Sequence, residues 1–214
     1  YAEALKALGS SHAWIVHGRD GLDELSISGP TQIAILEQDT VTSREITPED
    51  AGLKRWPLTN PAGARYQLLG TFAGERLEQT ARVLSRLGSK RAWVVHGRDG
   101  LDELSPCTVS DVAELREDGS VRTFTLSPED AGLERVPPES IVGGDVEDNA
   151  RRLQALLAGE RSGVRTAVLL NAAAALVVVG RAADLKQGVL LAVESIDSGA
   201  AAAKLKALVK AGAA

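Results

Sequence analysis

AWVVHGRDGLDELS, residues 92–105, decides how this chain is read, because it occurs once before as AWIVHGRDGLDELS, residues 13–26. Working outward, LSRLGS (residues 84–89) precedes the later copy and LKALGS (residues 5–10) the earlier one. Each copy runs on to PEDAGL, at residues 48–53 and 128–133. From Leu5 against Leu84 onward, 17 of 22 positions match, and then identity drops. Two copies fall short of the roughly three that a solenoid needs to bury a continuous core. The repeat is therefore one supersecondary unit used twice. Residues 27–47 keep the pattern of residues 106–127 but are one residue shorter. Such uneven similarity is expected of two homologous fragments from different parents, joined near residues 55–57.

Local patterns predict the elements. Residues 13–17 form a short apolar run that reads as a buried parallel strand. Residues 33–36 and 41–46 predict a hairpin around Asp39 and Thr40. Residues 66–72 predict another strand, and residues 75–87 a helix with Leu77, Ala81, Leu84 and Leu87 at 3–4 spacing. With residues 92–96 this makes a βαβ unit, which requires a parallel pair. The three apolar runs are expected in one parallel sheet. A further hairpin, residues 111–115 and 121–126, turns at Asp118-Gly119, a type I′ signal. Beyond Gly143 the pattern is helical. Asp145 caps a helix that buries Ala150, Leu153, Leu156 and Leu157; residues 167–179 are apolar nearly all round; Asp184 and Gln187 make a capping box; residues 204–210 carry Leu205, Leu208 and Val209 on one face. An uncapped helix over residues 1–8 opens the chain at Tyr1, as expected of a fragment or an engineered product; Gly9 sits at its end. Thr47 and Pro48 start a brief turn of helix.

The expected fold is α/β, a mainly parallel sheet with antiparallel hairpins, flanked by helices. Residues 1–56 form a partial repeat unit and residues 57–214 an α/β unit with a helical tail, joined in one compact domain.

Composition narrows the function classes. Charged residues make up 25% of the chain, hydrophobic ones 44%, and the net charge is −5. Without a basic run there is no footprint for a phosphate backbone, so no nucleic acid is expected as a partner. The longest apolar stretch, residues 172–179, is far shorter than the ~20 residues that span a bilayer, so no membrane partner is expected. Cys107 is the one cysteine, which excludes an internal disulfide and fits a cytoplasmic location.

Two acidic loops could do chemistry: Asp20, Asp23 and Glu24, and Asp99, Asp102 and Glu103. Each follows a strand, where open α/β sheets place ligands. Adjacent carboxylates suit Mg²⁺, which takes one or two of them together with waters and phosphate oxygens; a solvated turn is the other reading. His17 and His96 close their strands, and packing explains them better than catalysis. Asn60-Pro61-Ala62-Gly63 is a turn. Gly143-Gly144-Asp145 could cradle a phosphate at a helix N-terminus, but capping explains it as well.

PLTNPAGARYQLLG, AWVVHGRDGLDELS, SPEDAGL, GGDVEDNARRL and LLNAAAAL follow one another in a distinctive order. In that order they resemble the C-terminal half of anthranilate phosphoribosyltransferase, from residue 57 to about residue 209. The first 56 residues resemble an internal part of the same half. The resemblance implies a fold like that of the class II nucleoside phosphorylases, a role in tryptophan biosynthesis and a homodimer. It places a Mg²⁺ site for phosphoribosyl pyrophosphate at Asp102 and Glu103, and again at Asp23 and Glu24. The family's Gly-Thr-Gly-Gly-Asp and Lys-His-Gly-Asn segments do not occur in the chain. The expectation is therefore a recombined fragment with a weak Mg²⁺ site and no catalysis, associating as a homo-oligomer that exchanges its first segment. Catalysis on phosphoribosyl pyrophosphate and anthranilate would need a second chain, and a ligand- or nucleic-acid-binding module of the same fold is the remaining alternative, against which the negative charge speaks.

Overall fold

The computed structural model describes the backbone of residues 12–18, 31–37 and 40–46 and of residues 64–212. The expected helix at residues 1–8, the turn at residues 60–63, the cap at Thr47 and the loop carrying Asp20, Asp23 and Glu24 lie outside these residues.

The chain divides into two units. One comprises Tyr1–Thr59, Gly143–Ala158 and Ser198–Ala214. Its sheet runs β1 (His12–Gly18), β2 (Thr31–Glu37), β3 (Thr40–Ile46), and both ladders are antiparallel. Its helices are α2 (Val146–Leu157) and α5 (Ala200–Gly212). The Asp145 carboxylate caps α2 by accepting the Asp148 N–H at 2.8 Å, as the sequence predicts. Ala150 and Leu156 are buried on that helix, while Leu153 and Leu157 are half-buried. On α5, Leu205 and Val209 are half-buried, but Leu208 is exposed.

The other unit, Asn60–Val142 and Gly159–Asp197, holds a four-stranded sheet in the order β4 (Tyr66–Gly70), β5 (Arg91–Gly97), β6 (Ser110–Leu115), β7 (Val121–Leu126). Helix α1 (Leu77–Arg86) packs on β5 and β6; α3 (Gly163–Val178) packs on β4 and β5 and also against α4 (Leu185–Asp197). Strand β5 is buried on both faces, which explains its unbroken apolar run. Ala92 and Val94 meet Leu77, Ala81 and Leu84 of α1, whereas Trp93 and Val95 meet Leu170, Ala173 and Ala174 of α3. Gly188 lets α4 close on α3, because a Cβ there would lie 2.8 Å from the Ala173 Cα.

An α/β sheet flanked by helices is thus found, with less parallel pairing than expected. Only β4 and β5 pair in parallel among the described strands. The crossover through α1 returns the chain in the same direction. The hairpins reverse it, and a direct reversal forces an antiparallel ladder. For the same reason β1 is not the parallel strand expected; it belongs to the three-stranded sheet β1-β2-β3, whereas β4 and β5 belong to the four-stranded one, so the single sheet expected is not found among the described strands.

The repeat itself is exact in register. Trp14 pairs with Ile35 as Trp93 pairs with Glu114, and Gly18 pairs with Thr31 as Gly97 pairs with Ser110. The missing residue falls in the turn, since Leu36 pairs with Val41 but Leu115 with Val121. The longer turn is not type I′. The Gly119 N–H donates to the Arg116 carbonyl at 2.9 Å, which puts Glu117 and Asp118 at the centre and Gly119, at φ 80°, in the bulge position. Leu87 also departs from expectation. Helix α1 stops at Arg86, so Leu87 lies in the cap and remains 41% exposed. Helix α3 is buried or half-buried along its length except at Val168, which is exposed. At α4, Asp184 accepts the Gln187 N–H at 2.8 Å, and the Gln187 side chain reaches back to Ala183.

Candidate functional site

Residues 98–105 form a loop beyond the carboxyl ends of the parallel pair β4–β5, where an α/β sheet presents its ligands. The sequence builds it from short-range bonds. Gly97 donates to the Leu101 carbonyl and Gly100 to the Gly97 carbonyl, each at 2.8 Å, and Gly100 takes a left-handed φ of 95°. Arg98 grips Asp111 of β6 through two bonds, Nε to Oδ2 at 3.0 Å and Nη2 to Oδ1 at 2.9 Å. These hydrogen bonds hold the Asp111 carboxyl below the usual carboxylate range.

The three acids singled out in this loop do different things. Asp99 is structural: its Oδ2 accepts the Ser105 hydroxyl at 2.6 Å and its Oδ1 the Leu101 N–H at 3.4 Å. The same Ser105 oxygen accepts the N–H groups of Cys107 and Thr108, and the Ser105 N–H donates to the Ser110 hydroxyl. Asp99, itself exposed, is thus tied to the buried Ser105 and is not a free ligand. Asp102 and Glu103 are exposed, and neither carboxylate has a hydrogen-bond or ion-pair partner among the described residues. Partial burial of its carboxyl, with the neighbouring Asp102 charge as the second cause, pushes the Glu103 pKa above the ordinary value. The counterparts Asp23 and Glu24 lie outside the described residues.

Two contacts missed by sequence reasoning set where this pair sits. At the end of β4, a Cβ on Gly70 would lie 1.4 Å from the Asp102 carbonyl oxygen, so only glycine lets the loop seat there. On the other side, Asn171 of α3 pairs with the Leu104 peptide. Its Oδ1 accepts the Leu104 N–H and its Nδ2 donates to the Leu104 carbonyl, both at 3.0 Å. A lone Asn in the apolar run LLNAAAAL was the available signal.

The remaining candidates have structural roles. The half-buried His96 shares a hydrogen bond of 2.9 Å with the Thr71 carbonyl, which can only accept, so Nδ1 carries the proton. Gly74 lies against the other side of the ring. His17 ends β1, and nothing further is described of its side chain. The Gly144 N–H is taken by the Asn149 Oδ1 at 3.0 Å, and the Asn149 amide donates back to the Gly144 carbonyl; Gly143-Gly144-Asp145 is therefore a helix cap and not a phosphate cradle. Burial and the Asp99 charge push the Cys107 thiol up, which disfavours its thiolate.

A divalent cation fits Asp102 and Glu103 by the chemistry of the donors: two adjacent, unpaired oxygen ligands whose mutual repulsion a cation would relieve. Among the described residues no group of three or more metal-ligating side chains occurs. A cation held here would have these two carboxylates and otherwise water, the manner in which Mg²⁺ is commonly bound. The pair does not suit a closed all-protein cage.

A family model described as glycosyl transferase family, a/b domain, matches residues 1–56 and again residues 56–202. Anthranilate phosphoribosyltransferase of Myxococcus xanthus is 74% identical over 156 residues, covering 73% of this chain and 46% of the relative. The Azorhizobium caulinodans enzyme of the same name is 54% identical over 155 residues, covering 72% of this chain and 45% of the relative. The chain thus spans about half the length of the curated relatives it matches. The crystal structure of the Thermus thermophilus anthranilate phosphoribosyltransferase aligns with a TM-score of 0.65 at 40% identity, over 74% of this chain and 46% of that one. The Saccharomyces cerevisiae enzyme in complex with PRPP and Mg aligns with a TM-score of 0.67 at 25% identity, over 78% and 49%. With its repeat strands, its acidic loop and nearly its whole length accounted for, the chain belongs to the glycosyl transferase family, a/b domain.

Proposed function

We propose that residues 98–105 are the metal side of a phosphoribosyltransferase site, in which Asp102 and Glu103 hold Mg²⁺ for phosphoribosyl pyrophosphate, with anthranilate as acceptor in tryptophan biosynthesis. The observation that carries this reading is the exposed acid pair at the carboxyl ends of β4 and β5, unpaired among the described residues. The relative with PRPP and Mg supports the ligand assignment. Asp23 and Glu24 offer the same pair in the first copy, within a sequence identical from residue 17 to residue 26 to that of residues 96–105. When bound, the cation neutralises pyrophosphate charge. The chain's own contribution is to fix the two carboxylates and leave them free of competing partners.

The 214 residues acting alone do not catalyse transfer. They lack the family's Gly-Thr-Gly-Gly-Asp and Lys-His-Gly-Asn segments, the groups expected to cradle the pyrophosphate and stabilise its leaving charge. The chain is a recombined member of the family working in the cytoplasm; its two separate matches to one family model favour that origin. Loss of anthranilate fluorescence, with phosphoribosyl pyrophosphate and Mg²⁺ present, is the test. No turnover is expected. Turnover that disappears in Asp102→Ala would show that the missing loop has a substitute.

A second reading, completion by another chain, is favoured by the open outer edge of β4. Among the described residues no strand pairs there. A homo-oligomer with exchanged segments would close that edge with a second copy.

A further inference from the structure

We propose that Asn171 is the positioning residue for the acid pair, acting through the peptide of Leu104; this rests on the Mg²⁺ reading above. Leu104 directly follows Glu103 and is fully buried against Leu170, Ala173 and Ala174. Its backbone N–H and carbonyl need partners away from water. No strand supplies them. Asn171, 67 residues away, does so with both ends of its amide at 3.0 Å.

A third bond fixes the clamp itself. The Asn171 Nδ2 also donates to the Ala167 carbonyl at 3.1 Å, one turn back along α3, which locks the side-chain orientation. The amide assignment is unambiguous, since an N–H only donates and a carbonyl only accepts. Asn is a weak helix former, and here it interrupts an Ala-, Leu- and Val-rich helix. Ala or Leu would suit the helix better, but neither could hold the loop. Asp102 and Glu103 therefore sit between two anchors, the Asp102 carbonyl seated over Gly70 and the Leu104 peptide held by Asn171. Releasing the second anchor lets the Glu103 carboxylate move relative to that of Asp102, and a cation loses a preformed pair.

The test uses Mn²⁺ as probe, with free ion read by electron paramagnetic resonance. It is run on the full chain carrying Asp23→Asn and Glu24→Gln, so that one acid pair remains. Near-UV circular dichroism sets a temperature at which every variant is folded. Asn171→Ala is expected to weaken Mn²⁺ binding at least about fivefold, and Asp102→Asn to abolish it. Asn171→Ser keeps a hydroxyl for the Ala167 carbonyl but loses both Leu104 bonds, so it should show the same loss and serves if the Ala variant does not fold. Loss in Asp102→Asn with wild-type binding in the Asn171 variants would overturn the positioning role alone. Equal binding in the parent and Asp102→Asn would overturn the metal reading and this inference with it.

Discussion

Gly70 and Asp102 occupy each other's space: a methyl group on Gly70 would lie 1.4 Å from the Asp102 carbonyl oxygen. The end of β4 and the acidic loop are consequently one packed joint. Gly70 has no left-handed φ, so the cost of any side chain there is steric. Gly70→Ala should destabilise the fold by about 1–3 kcal/mol, as overpacking does. Thermal unfolding measures it, and an unchanged midpoint would mean that the loop is not seated on the strand.

Glu103 provides a pH test. Burial and the Asp102 charge raise its folded pKa, so the folded state holds the proton more tightly than the unfolded chain. Stability from this group is present at low pH and is lost as pH rises through the folded value. Glu103→Gln should therefore be more stable than wild type at pH 7 and equal to it below the carboxylate range. Because the carboxyl reaches solvent, the gain should stay under ~1 kcal/mol. Unfolding midpoints at both pH values check the sign; a destabilised variant at pH 7 refutes it.

Glu114 works in the opposite direction. Burial opposes its charge, but hydrogen bonds from Arg116, Trp93 and Arg122 together hold its pKa below the usual value. The Trp93 Nε1 donates to it at 3.1 Å across the β5–β6 ladder. Its contribution is present above the unfolded pKa and is lost as pH falls through the folded one. Glu114→Ala leaves the Trp93 N–H without its acceptor and should cost about 1–3 kcal/mol at pH 7. The gap between variant and wild type should narrow on acidification.

The outer edge of β4 predicts association. Thr71 donates to the Val95 carbonyl, so alternation along the strand turns the Leu68 N–H and carbonyl away from β5. The strand YQLLG has no charge or proline to protect that edge. Exposed Tyr66 and Phe72 flank it. If a second copy covers it, the Leu68 amide should exchange more slowly with hydrogen isotopes as protein concentration rises from micromolar upward. Exchange independent of concentration, with monomer mass by light scattering, would reject it.

Much of the local structure could be read directly from the chain. Asp145 and the Asp184–Gln187 pair cap their helices as their spacing predicts, because a cap bonds within three or four residues of itself. The type I′ expectation at Asp118-Gly119 failed within the same range, since one extra residue selects a different turn.

The repeat and the GLDE pair also came from the sequence alone, as did the helix that crosses between β4 and β5. Tertiary structure decided which strands share a sheet, which of three similar acids remains free, and what holds the free pair in place. Asp99 and Asp102 are the same residue type in the same loop. The Ser105 hydroxyl and the Leu101 N–H, brought round by the turn, separate a structural carboxylate from a candidate ligand. Asn171 lies 67 residues from Leu104 and Gly70 lies on a different strand, so no local pattern joins them to the loop. Their roles arise from contact across packed elements, where hydrogen bonds and steric exclusion act over distances in space and not along the chain.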